Sequence, residues 1–283
     1  MSIDTFKPEV WSANLLVALR SALVYGGVCN TDYEGDISEY GDTVTINSIS
    51  RPAVEDYVPN VTEIEPETLT TAQRKLLIDQ SKYFAFEVDD VDARQARGDV
   101  IPTAMNEAAY ALRDVADAHI AALYTGVVSG NDLGTVGVAS GSPTNAYDNI
   151  LVPLKVTLDE ADVPEQGRYV IIPSWLHGRL LRDDRFIRAD ATGDGTGAMR
   201  TGMVGQAAGF DVLVSNNTPN PTSDHNVVQA GYRGALSFAQ QISKVEAYRP
   251  QNSFSDAVKG LHLYGAKLVR PEGIAIATAD PTP

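Results

Sequence analysis

Four histidines, one cysteine and a scatter of acids are the groups from which a reaction centre could be built. His119, His177, His225 and His262 show no zinc-ligand spacing, and no HExxH occurs. Cys29 stands alone, so neither an internal disulfide nor a cysteine-rich zinc site is available. Gly193, Gly195 and Gly197 spell GDGTG, the outline of a phosphate cradle. It lacks the preceding strand and the spacing of the third glycine. Asp190, Thr192, Asp194 and Gly195 mimic the start of a calcium loop, but position twelve is Thr201 where a glutamate is needed. Asp159 and Glu160 are adjacent carboxylates, a pattern that suits the exposed end of a helix. No GxSxG elbow and no Walker A loop is present. These residues predict no catalytic centre, no cofactor and no metal.

The chain that carries them has 283 residues, 43% hydrophobic and 21% charged, with a mean hydropathy of -0.14. That is enough for one elaborate domain or two. No run approaches the roughly 20 apolar residues of a membrane span. The start, MSIDTFKPEVW, lacks the basic and apolar regions of a signal peptide, so a reducing cytoplasmic origin is expected. The net charge of -15 argues against a broad face that grips phosphate backbones and favours solubility. The charge is uneven. Asp32, Glu34, Asp36, Glu39, Asp42, Glu55, Asp56, Glu63, Glu65 and Glu67 are opposed by Arg51 alone. Arg168, Arg179, Arg182, Arg185 and Arg188 face only Asp183 and Asp184. Each run is either a solvated face or one half of a contact between copies of the chain.

Periodicity supplies the elements. Pro8 and Glu9 open a helix whose apolar stripe is Trp11, Leu15, Ala18, Leu19 and Ala22, ended by Gly26 and Gly27. Thr43 to Asn47 and Tyr83 to Val88 alternate as strands, and a pairing of the two would make a long projecting hairpin. Its outgoing arm would carry Glu55, Asp56, Glu63, Glu65 and Glu67, and its returning arm Arg74, Lys75 and Lys82. Ion pairing within the hairpin is the alternative use of those charges. Ile101 to Thr125 is the clearest helix, with Met105, Ala108, Leu112, Val115, Ala116, Ile120 and Leu123 on one stripe and Arg113 facing Asp117 on the wet side. At about 1.5 Å per residue it spans roughly 36 Å, a strut across a domain.

Gly130 to Pro143 reads as a loop. Leu151, Leu154, Leu158 and Ala161 have helical spacing, with Pro153 kinking or starting that helix. Arg168 to Pro173 reads as a buried strand, followed by a helix capped by Ser174. Ala189 to Gly209 reads as a mobile stretch. Gly209–Ser215, Val227–Ala230, Ile242–Arg249 and Gly260–Val269 read as strands, and Pro281 and Pro283 as a disordered tail. The mixture is α+β.

Several phrases carry a resemblance together: PEVWSANLLVALRSALVYGGVCNTDYEGDI, YGDTVTINSI, AYDNI with LDEADVP, RYVIIPSW, LLRDDRF, KVEAYRP and DAVKGLHLYGAKLVRPEGIA. Over nearly its whole length the chain resembles the major capsid proteins of tailed bacteriophages, the Hong Kong-97 type fold, in an actinobacterial-phage branch. The resemblance implies an N-terminal arm at 1–40 and an extended loop hairpin at 41–90. It implies a peripheral domain at 91–144 and 232–283 with spine helix 101–125, and an axial domain at 145–231.

It also implies self-assembly into pentamers and hexamers that form an icosahedral shell around double-stranded DNA. The partners would be the chain itself with portal and decoration proteins, and no membrane. Because the arm begins almost at Met1, either any scaffolding protein should be a separate chain or this chain is already the mature form. Nothing marks an isopeptide partner for Lys75 or Lys82, so no crosslink is expected. The expected contacts between subunits involve Trp11, Leu15, Leu19, Glu63, Glu65, Glu67, Arg74, Lys75, Lys82, Arg182, Arg185 and Arg188. The location implied is the virion, assembled in the bacterial host cytoplasm. The alternatives are the shell of an encapsulin-type compartment and a cytoplasmic α/β enzyme using the GDGTG loop.

Overall fold

A computed structural model describes residues 23–32, 43–49, 54, 56, 59, 68, 71–89, 100–139, 141, 144–183, 205–222, 224–251 and 255–282. The elements are α1 (Tyr25–Val28), β1 (Thr43–Ile49), β2 (Thr71–Leu77), β3 (Gln80–Asp89), α2 (Val100–Ala121), β4 (Asp132–Gly137), α3 (Val152–Glu160), β5 (Arg168–Ile172), α4 (Ser174–Leu180), β6 (Gln206–Ala207), β7 (Phe210–Val214), β8 (Asn226–Tyr232), β9 (Leu236–Tyr248), β10 (Ser255–Leu268) and β11 (Ile274–Asp280).

The largest sheet has six strands in the order β4-β11-β8-β5-β7-β6. Pairs β4/β11 and β5/β7 are parallel and the rest antiparallel. Successive side chains on a strand point to opposite faces, so a sheet covered on both sides needs apolar residues at every position. The sequence of β5, RYVII, meets that demand, and all five residues are buried. Val170 and Ile172 pack with Leu154 and Leu158 of α3, Leu176 and Leu180 of α4, and Ala275 and Ala277 of β11. The residues between them, Tyr169 and Ile171, pack with Ile274, Ile276 and the end of α2 at Ala116 and Ile120.

A second sheet has the order β3-β10-β9, all antiparallel. Helix α2 covers one face through Met105 and Ala109, against Val258, Phe84, Phe86 and Val245. The opposite face receives the root of a two-stranded ribbon: Ile46 of β1 and Leu76 of β2, with Ile78, pack on Ala239 and Leu263. Gly265 lies under this crossing. A Cβ there would stand 2.3 Å from the Leu77 carbonyl oxygen and 3.1 Å from Ile78 Cα, so only glycine lets the backbones approach this closely.

A two-stranded ribbon is present, but its strands differ from the expected pair. β1 pairs with β2, from Thr43↔Leu77 to Ile49↔Thr71, while Tyr83 to Val88 lies in β3 and pairs with β10. The physical reason is the short break at Ile78 and Asp79, where the returning arm drops into the body and Ile78 is buried. Lys82 is therefore an exposed residue of the second sheet, opposite His262, and not part of the ribbon.

Other differences have equally local causes. The expected loop Gly130–Pro143 contains β4, whose start is pinned when Asn131 Nδ2 donates to the Glu272 and Ile274 carbonyls at 2.9 and 3.0 Å. The expected tail follows β11, a strand inside the large sheet, and Arg179 donates to the Pro281 carbonyl at 3.0 Å. Pro283 lies outside the described residues, as do 189–204 of the stretch expected to be mobile. The Ser174 hydroxyl bonds Asn216 Oδ1 and caps nothing. Before α3 the chain makes a π turn at Tyr147–Leu151, which places Pro153 in the first turn of α3, where its missing N–H costs no helix bond.

On α2 the buried stripe is Met105, Ala109, Leu112, Ala116 and Ile120, while Val115 is 44% exposed. Asp117 is not on the wet side: it is 1% exposed. The Gln229 amide donates to the Ala121 carbonyl at 2.7 Å, satisfying an acceptor at the helix end before the chain tightens into a 3₁₀ turn at Ala122–Gly126.

Candidate functional site

Two stretches are rooted on this body: residues 23–30, which follow residues 1–22 in the chain, and the ribbon β1–β2. The first root is a short stretch, residues 23–30. Its one helical turn, α1, has no acid in the first turn and no side-chain cap of its own. The missing acceptor comes from far along the chain. Asp117 Oδ2 accepts from the Val24 N–H at 2.9 Å and Oδ1 from the Gly26 N–H at 3.2 Å, and the Tyr25 N–H also bonds this carboxylate. Burial raises the carboxyl pKa, and those three N–H groups with Arg113 partly oppose the rise.

Below the carboxylate, Tyr25, Val28 and Cys29 enter the cluster of Tyr169, Ile171, Phe238 and Tyr264. At the far end Asn30 makes a parallel bridge to Ser237: its N–H donates to the Leu236 carbonyl at 2.8 Å, and the Phe238 N–H donates to its carbonyl at 3.0 Å.

The second root is the ribbon base. Arg74, half-buried, donates to the Leu268 carbonyl at 3.2 Å and ties β2 to the end of β10. Its neighbour Lys75 is exposed. Their cross-strand partners are Ile46 and Thr45, so the ladder pairs neither with an acid. Of the acids expected on the outgoing arm, Asp56 is described and exposed, while Glu55, Glu63, Glu65 and Glu67 lie outside the described residues. Between the two roots His262 is buried at 1% exposure, its Nε2 lying 3.3 Å from Gln240 Oε1 and its ring 5.1 Å from that of Tyr264. Burial lowers its pKa to about 4.

The expected basic patch is not one surface. Arg168 is 4% exposed and works inside the fold, donating to Asp159 Oδ1 at 2.6 Å, to the Pro164 carbonyl at 3.0 Å and to the Val163 carbonyl. Asp159 is thus an arginine partner. Arg179 lies 4.8 Å over the Trp175 ring while holding Pro281. Arg182 is exposed just beyond α4, and Arg185 and Arg188 lie outside the described residues. So do Trp11, Leu15 and Leu19. Of the expected inter-subunit residues, Arg74, Lys75, Lys82 and Arg182 are described, and among these Arg74 and Lys75 are neighbours on β2. The structure adds Asp117, which the sequence placed on the wet side opposite Arg113, and Tyr25 and Asn30, which the sequence did not single out. The one signal for Asp117 was an acid beside Ala116 and Ile120 on the apolar side of a helix. Among the described residues no group of three or more His, Cys, Asp or Glu side chains is placed to hold a metal ion. No helix of the described residues is long and apolar enough to cross a membrane.

The described body thus carries two anchored roots, one at residues 23–30 and one at the base of β1–β2. Comparison with known proteins supplies the family. The family model described as phage capsid protein matches residues 73–277. A solved structure from Mycobacterium phage Che8 is 32% identical over 90% of this chain and 90% of that chain, with a TM-score of 0.73. The capsid structure of cyanophage P-SCSP1u is 18% identical over 92% of this chain and 89% of that chain, with a TM-score of 0.69. The virus-like particle from Pyrococcus furiosus is 13% identical over 95% and 98%, with a TM-score of 0.55. These last two likenesses concern the fold alone. No curated protein sequence matches. The chain belongs to the phage capsid protein family, with the α+β fold of tailed-phage capsids. The resemblance drawn from its phrases, including the actinobacterial-phage branch, is matched by the mycobacterial phage relative.

Proposed function

We propose that this chain is the major capsid protein of a tailed phage, a structural subunit that assembles with copies of itself into pentamers and hexamers and so into an icosahedral shell around double-stranded DNA. The observation that carries the reading is 32% identity to a mycobacterial phage structure over 90% of both chains. The two rooted extensions supply the means. A head-to-tail contact that closes on itself makes a ring, and rings of five and six are capsomers. Obligate contacts of this kind bury more than about 2,000 Å², which extensions overlapping a neighbour provide. The work is done by area and geometry, so no residue is assigned to catalysis.

In this reading residues 1–22 form the free part of the arm, and β1–β2 with the chain between them form the extended loop. Helix α2 is the spine of a peripheral domain built on β3, β9 and β10. The axial domain takes its sheet from both sides of the expected 145–231 boundary, because β4 and β11 belong to it. The subunit belongs to the virion and assembles in the host cytoplasm, with scaffolding, portal and decoration proteins as further partners. The -15 charge suits a wall that encloses DNA without gripping it. An encapsulin-type shell shares the fold, but the phage capsid family match over residues 73–277 favours the phage reading.

The test is size-exclusion chromatography and negative-stain microscopy of the expressed chain. Capsomers or closed shells are expected, and a chain that stays monomeric at every concentration overturns the reading. Tight binding of the purified protein to duplex DNA at physiological salt would overturn the electrostatic part alone.

A further inference from the structure

We propose that Asp117 is a positioning residue for assembly: its buried carboxylate clamps the arm root, residues 23–30, onto the spine helix and thereby fixes where the N-terminal arm leaves the body. The inference rests on the reading of residues 1–22 as an arm that reaches a sibling subunit.

A carboxylate at 1% exposure is an expensive choice for stability alone. At a site that merely needed filling, an apolar residue of similar volume would serve at least as well. Asp117 is kept in the interior by what it holds. Its two oxygens take the N–H groups of Val24 at 2.9 Å and Gly26 at 3.2 Å, with Tyr25 as a third donor. These donors lie more than 90 positions away in sequence. No local side chain caps this turn, so the carboxylate supplies the satisfaction that the arm root lacks.

The clamp has directional content because it acts at the outer end of the root. Asn30, at the inner end, is already fixed by its two backbone bonds to β9. Tyr25 anchors the middle at 0% exposure. Val24 and Leu23 pack against the same core cluster, and among the described residues Asp117 is the acceptor for the Val24 and Gly26 N–H groups at this first described turn. Removing that acceptor leaves the body and the Asn30 bridge in place and frees the departure point.

The test uses full-length Asp117→Ala and Asp117→Asn beside the wild type. Leu154→Ala serves as a control that destabilises the opposite side of the large sheet without touching the arm root. The first readout is chymotryptic cleavage after Tyr25 in the unassembled chain, followed by mass spectrometry. The wild type and Leu154→Ala should be protected there. Asp117→Ala should be cut at least tenfold faster, and Asp117→Asn, which keeps one carbonyl acceptor, should fall between. The second readout is the fraction of regular closed shells, which should drop several-fold for Asp117→Ala and remain near wild type for Leu154→Ala.

Unchanged cleavage at Tyr25 in Asp117→Ala overturns the clamp. Faster cleavage with wild-type shells overturns its role in assembly, as does an equal shell defect in Leu154→Ala. If Asp117→Ala fails to fold, Asp117→Asn carries the same comparison. If the wild type itself builds no shell, the proposed function falls, while the cleavage comparison still decides the clamp.

Discussion

Where the arm can be cut is set by the packing of its root. Deleting residues 1–22 leaves the root intact. Deleting residues 1–29 removes Tyr25, Val28 and Cys29, which are 0%, 3% and 8% exposed. Losing a buried aromatic side chain costs about 3–5 kcal/mol and a buried valine about 1.5–3 kcal/mol. Together that is about 5–8 kcal/mol, and Asp117 loses its three backbone donors besides. A whole domain holds only about 5–15 kcal/mol, so the longer deletion should fold poorly or not at all. The shorter one should unfold at the wild-type urea midpoint and yet build no regular shells. Urea titration followed by fluorescence, with negative-stain microscopy of the same preparations, measures both. Equal midpoints for the two deletions would refute the packing argument, and normal shells from the shorter deletion would refute the role of the arm.

Three further outcomes are expected. Gly265→Ala puts a Cβ 2.3 Å from the Leu77 carbonyl oxygen and should displace the ribbon root at a cost of about 1–3 kcal/mol, lowering the calorimetric Tm by several degrees; an unchanged Tm would sink this. Arg74→Glu loses the bond to the Leu268 carbonyl and should reduce folding stability by about 1–2 kcal/mol. Lys75→Glu, on an exposed side chain, should leave the unfolding midpoint alone and show its effect in shell yield, so equal stability losses for the two would contradict the assignment.

The folded state disfavours protonated His262, whose pKa falls from 6.5 to about 4. The stability tied to this group is therefore present above pH 6.5 and declines as the pH falls towards 4, by an amount on the order of 3 kcal/mol. His119, packed 5.5 Å from the ring of Tyr264 and also lowered by burial, adds in the same direction. His262→Asn should flatten the pH profile of urea unfolding, and a profile as steep as wild type would assign the loss elsewhere.

How much could be read from the sequence follows from what each signal contains. Strong alternation or a continuous β-branched run identified β1, β3, β5 and β10, and the 3.6-residue stripe identified α2. Pairing is different, because it depends on where the chain bends. Two residues, Ile78 and Asp79, decided that β1 pairs with β2 and not with β3. Strand β4 was hidden by its composition: DLGTVG has glycines where a strand usually carries bulk. Strand β11, IAIATAD, was hidden by its place next to two prolines. Asp117 was misplaced because helical spacing tells which residues are neighbours on a helix and not what will be laid across them. The candidate site was the least legible part, since its partners sit 91 to 93 positions apart and meet through backbone N–H groups that every sequence has.

The position of β11 has a consequence for the order of synthesis. It lies between β4 and β8, so the large sheet stays split until residues 274–280 have left the ribosome. Such distant pairings are slow to close and cannot form early. A nascent or prematurely terminated chain therefore exposes an unfinished sheet and lacks the shape its siblings fit.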